Sequence, residues 1–151
     1  MIFKTITLFA FLIRSAYTDL KEDRIENRVI LSGYVTAMIF AYIQSGVSGM
    51  LKSTAAAGMV ILCLFPLFMI KGLGAGDIKL FSLIAAFFRE KIIGIIAFSF
   101  LVGGFIILVM MMIRWFKKVP VYKKNEIIHF SIPIAIGTWI QIIGDVLKEV
   151  T

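Results

Sequence analysis

Apolar residues fall in six long blocks, separated by short clusters of charge, glycine or both. The first block runs from about Ile2 to Tyr17 and gives way to the charged stretch Asp19 to Arg28. The second covers about Val29 to Ile43, and Gln44-Ser45-Gly46-Val47-Ser48-Gly49 after it reads as a turn. The third, about Thr54 to Ile70, enters a glycine-dense stretch, Lys71-Gly72-Leu73-Gly74-Ala75-Gly76-Asp77-Ile78-Lys79-Leu80. The fourth, Ile78 to Phe88, is short and stops at Arg89-Glu90-Lys91. The fifth, Ile92 to Ile113, is unbroken, and a basic loop, Arg114 to Lys124, leads to the sixth, about Ile127 to Leu147. The pattern predicts an all-α, polytopic membrane protein with about six transmembrane helices in a single domain over residues 1–151.

A perpendicular span takes on the order of 20 residues. The first and fourth blocks fall short, so Lys4, Arg14 and Arg89 beside them must snorkel to the interface. A re-entrant fourth block is the alternative to a spanning one. The first block has the position of a signal peptide, but Arg14 interrupts the end where a small-residue cleavage site belongs.

Composition sharpens the class. Hydrophobic residues make up 60% of the chain, more than a soluble domain can solvate. The net charge of +7 does not point to nucleic acid, because basic residues in short loops face the cytoplasm and its anionic lipid. An N-terminus outside puts eleven of the 16 Lys and Arg residues on the inner face, so both termini are predicted outside. Cys63, the single cysteine, sits in an apolar run and reads as packing, and it excludes a disulfide framework or a cysteine metal site.

The same orientation puts Asp19 and Asp77 on the cytoplasmic face, where the first and fourth helices could bring them together. Two neighbouring carboxyl groups cannot both ionise cheaply, so one can take a proton from water while the other polarises a peptide carbonyl. That is aspartic proteolysis, with no metal and no cofactor. Each residue also has a plain structural reading. Asp77 could be the N-cap of the fourth helix, and Asp19 a solvated residue at the end of the first. The functional case rests on finding both beside a glycine loop free to adopt conformations that other residues resist.

Gly74-Ala75-Gly76-Asp77-Ile78-Lys79-Leu80 and Asp19-Leu20-Lys21-Glu22-Asp23-Arg24-Ile25-Glu26-Asn27 together resemble the two motifs of the prepilin peptidase family, membrane aspartic peptidases of the GxGD class. The resemblance implies that Asp19 and Asp77 are catalytic and that Gly74, Gly76 and Lys79 form the motif loop. It departs at Glu26, where the family has proline, and at Asp23, where it often has a basic residue. It further implies cleavage of the short basic leader of type IV pilin-like precursors at the cytoplasmic side of the cell membrane. The chain is similar to the minimal, peptidase-only form, which implies no methyltransferase activity; an archaeal preflagellin peptidase is a close neighbour.

Glu22, Asp23 and Glu26 could attract a basic leader, or simply balance Lys21, Arg24 and Arg28 in a solvated loop. Lys79 reads either as a counter-charge to Asp77 or as an interfacial anchor. His129 has no partner ligands around it, so no metal site is expected. Readings from other classes are a small ion- or proton-coupled carrier using the same aspartates, and a non-enzymatic assembly subunit.

Overall fold

A computed structural model describes residues 2–117 and 130–150, with side chains through 144. The basic segment 118–124, His129 and the first residues of the sixth block lie outside the described residues. The elements are α1 (Ile2–Glu22), α2 (Asn27–Met69), α3 (Ala75–Phe87), a single 3₁₀ turn (Arg89–Lys91), α4 (Ile92–Phe116) and α5 (Ser131–Val150). No strand occurs among the described residues, so the fold is all-α.

α2 is continuous by hydrogen bonding but not by direction. Ser45 (φ −148°, ψ 20°) and Gly46 (φ 59°, ψ −149°) leave the helical region. The Gly46 combination is essentially restricted to glycine. The chain reverses there, since the Thr54 hydroxyl donates to Met38 Sδ at 3.5 Å. Sixteen residues of straight helix would hold those groups about 24 Å apart. The expected turn is therefore real but narrower than Gln44 to Gly49, with helix resuming at once on both sides.

α3 is the axis of the molecule. From Leu80 to Phe87 its side chains, Ser82 apart, are apolar all round, the signature of a helix enclosed by others. Leu80, Phe81, Leu83, Ile84 and Ala85 have no exposed surface, and α1, α2, α4 and α5 all pack against it. Gly33 permits the closest approach, because a Cβ there would meet Leu83 Cδ2 at 2.8 Å. Ser82 Oγ donates to the Ala57 carbonyl at 3.0 Å and bonds Tyr34 Oη, tying α3 to both limbs of α2. Such bonds and tight packing hold helices together in lipid, where the hydrophobic effect between helices is lost.

The outer surface is apolar. α2 and the stretch Arg89–Phe116 are long and apolar enough to cross a membrane, and only 22% of each apolar window is buried inside the fold. Leu62 and Ile93 are 75% and 80% exposed. Exposed apolar surface of that extent marks a face that contacts a membrane or another protein. The six blocks reappear as six helical limbs among the described residues, but two helices, not six, meet the length and apolarity of a span. α1 is broken by charge and α3 is too short. Cys63 also departs from expectation: it is exposed on the outer surface, not packed inside.

Candidate active site

Asp19 lies inside α1, not beyond it. The helix continues five residues past the apolar block, through Glu22, because helical hydrogen bonding outlasts the hydrophobic pattern. Asp19 is therefore buried, with 9% of its surface exposed, and the reading as a solvated residue at the helix end does not hold. Its Oδ2 accepts the Ser131 hydroxyl from the first residue of α5 at 2.6 Å. Asp23, at φ 53°, turns the chain out of α1 and donates its N–H to the Asp19 carbonyl at 3.0 Å.

Asp77 is placed by the start of α3, which begins at Ala75, three residues earlier than the apolar pattern indicates. Gly74, not Asp77, is the N-cap residue, and Asp77 occupies the third helical position. From there Oδ2 accepts the Gly74 N–H at 3.2 Å, the backward half of a capping box. The positive end of the α3 dipole favours a carboxylate at this point.

The glycines serve space, not unusual dihedrals. Gly74 is extended (φ −74°, ψ 151°), and its φ is open to any residue. A Cβ on it, however, would meet Asp77 Oδ2 at 2.9 Å. A Cβ on Gly76 would press on Ile25 at 3.2 Å. The left-handed position in this loop belongs to Lys71 (φ 58°), which closes α2 with bonds from Lys71 N–H to Phe68 O and from Gly72 N–H to Leu67 O.

These elements enclose a cleft of about 320 Å³ walled by Asp19, Asp23, Arg24, Ile25, Gly74, Ala75, Gly76, Asp77, Lys79 and Phe130. The two aspartates singled out by sequence thus share one cavity. Lys79 also reaches it, but its ammonium donates to Asn27 Oδ1 at 2.9 Å, fastening α3 to the start of α2. Of the three acidic residues proposed for leader binding, only Asp23 walls the cleft. Glu22 pairs with Arg24 at 2.9 Å and Glu26 with Arg14 at 3.2 Å. Glu26 keeps φ at −63°, the value a proline would impose. Ile25 and Asn27 lie within the first motif with no role assigned to them by the sequence, and Ser131 and Phe130 lie outside both motifs.

A second cleft, of about 270 Å³, opens at the other end of the bundle, between Lys4, Gln44, Ser53, Phe87, Phe88 and the turn Arg89–Lys91. Asp19 and Asp77 are absent from its walls.

Compared with known families, residues 6–111 match the model of the type IV leader peptidase family, well over half the chain. The chain belongs to the type IV leader peptidase family. No curated protein and no solved structure matches it. The leader peptidase match takes in both motifs, with Asp19 and Asp77, and ends before α5. Membership makes the chain a peptidase and sets aside the carrier and assembly-subunit readings. Together with the two apolar helices, it points to a membrane protein.

Proposed function

We propose that this leader peptidase is an aspartic endopeptidase in which Asp19 and Asp77 activate water. The observation that carries the reading is their place in the wall of one cleft. One carboxylate takes a proton from water as the oxygen attacks the scissile carbonyl carbon. The other, protonated, gives its proton to the carbonyl oxygen. The tetrahedral diol then collapses: the C–N bond breaks, a hydroxyl proton returns to a carboxylate, and the leaving nitrogen is protonated. Two carboxyl groups and one water suffice, and the proton shared by the pair belongs to the pair, not to either residue.

The substrate is a type IV pilin-like precursor, cleaved between its short basic leader and the apolar helix that follows. Asp23 on the cleft wall suits a cationic leader. The cleft faces the cytoplasm in the orientation that keeps most Lys and Arg residues inside, with both termini outside and the helical limbs forming one membrane domain. The activity proposed for these residues is peptidase activity alone. Gly74, Gly76 and Lys79 hold the motif loop.

The test is cleavage of such a precursor by the full chain in proteoliposomes, with Asp19→Asn and Asp77→Asn beside wild type. Each substitution should abolish cleavage. Processing that survives either one rejects the mechanism.

A further inference from the structure

Asp19 sits three residues from the C-terminal end of α1, where the helix dipole opposes a negative charge. Its support comes from a different helix. Ser131 is the first residue of α5, is fully buried, and donates its hydroxyl to Asp19 Oδ2 at 2.6 Å across 112 positions of sequence. That length is typical of an O–H donor on a carboxylate. We propose that Ser131 is a positioning residue for the peptidase, fixing the plane of the Asp19 carboxylate by holding its Oδ2. The inference rests on the aspartic reading above.

Ser131 is itself held by packing, not by the substrate. The neighbouring Phe130 ring lies 5.3 Å from that of Phe100, which stacks on Phe81 of α3 at 6.2 Å and 8°. Gly103 of α4 makes room for it, since a Cβ there would meet Phe130 Cε2 at 2.6 Å. A stack from the central helix therefore fixes the start of α5. The serine hydroxyl turns that fixed point into an orientation for the aspartate. A carboxylate held in one plane presents its lone pairs to water in one geometry, and small misplacements of catalytic groups are costly.

The test is steady-state kinetics of the full chain in proteoliposomes on a pilin-like precursor, with melting temperature measured alongside. Ser131→Ala removes only the hydroxyl, and Ser131→Thr keeps one. Ser131→Ala should lower kcat on the order of 10-fold, the scale of one hydrogen bond to a charged group, with KM within twofold and melting unchanged. Ser131→Thr should restore most of the loss. Wild-type kcat in Ser131→Ala overturns the proposal. So does an equal loss in both variants, a loss expressed in KM, or one matched by a lower melting temperature. Asp19→Asn separates the two claims. If that variant still cleaves, the aspartic mechanism itself fails; if it is dead while Ser131→Ala is normal, only the role of Ser131 fails.

Discussion

The two ends of the bundle each carry a polar cleft of similar size, about 320 and 270 Å³, yet they are built in opposite ways. At one end the two motif acids, Asp19 and Asp77, are carboxylates on short stems. Each is held by a donor fixed in a helix terminus, Ser131 Oγ for Asp19 and the Gly74 N–H for Asp77. At the other end the charges ride on long side chains. Lys4 reaches Gln44 at 3.2 Å and lies 5.1 Å from the centre of the Phe88 ring, and Arg89 meets Glu90 at 3.8 Å. The sign of the charge differs as well. Three aspartates face Arg24 and Lys79 in the first cleft, whereas Lys4, Arg89 and Lys91 face Glu90 in the second. Short stems and fixed donors hold a geometry that chemistry can use. Long stems let a cation find the water interface.

The comparison breaks most sharply on charge removal. Asp77→Asn should reduce cleavage at least about a thousandfold, the scale for losing a principal catalytic group. Lys4→Gln combined with Arg89→Gln should leave kcat within about twofold. A large loss from the second pair, measured on the same precursor, would erase the distinction between the ends.

Next in size are the motif glycines. Gly74→Ala places a methyl against Asp77 Oδ2, and Gly76→Ala presses on Ile25. Displacements of this kind should lower kcat roughly 10- to 100-fold. Ile25→Ala should recover part of the Gly76→Ala loss, because it empties the space the methyl enters. Kinetics of the single and double variants decide this.

A smaller effect belongs to the acidic loop. Asp23→Asn should raise KM for a basic leader about threefold and flatten its salt dependence. Glu22→Gln and Glu26→Gln should change it less, since neither residue walls the cleft. Equal shifts in all three would mean that the loop acts by net charge alone. The smallest expected effect is on stability. Lys71→Gly relieves a left-handed lysine at the end of α2 and should stabilise the fold by about 1 kcal/mol in reversible unfolding.

Hydropathy made the order of helical limbs legible, including the reversal near Gly46 and the shortness of α3. It misjudged where helices start and stop around the site. α1 outlasts its apolar block because polar residues after Tyr17 still hydrogen-bond as helix, and this buries Asp19. α3 begins early because Asp77 caps it from the third helical position and not from the N-cap position. The convergence of two distant acids on one cleft was readable from their motifs. Ser131 was not, because a serine opening an apolar helix looks like any cap until the opposite helix is known. The close approach at the glycines was not readable, because the space a methyl would fill is set by the neighbours Ile25 and Asp77.

The enclosure of α3 has a mechanical consequence. From Leu80 to Phe87 the helix bearing Asp77 shows almost no surface to its surroundings, so acyl chains press on α2 and α4 instead. A bilayer grown thicker or thinner would tilt those outer helices first. The position of Asp77 along the bundle is thus insulated from lipid length, much as a spindle is shielded by its bearings.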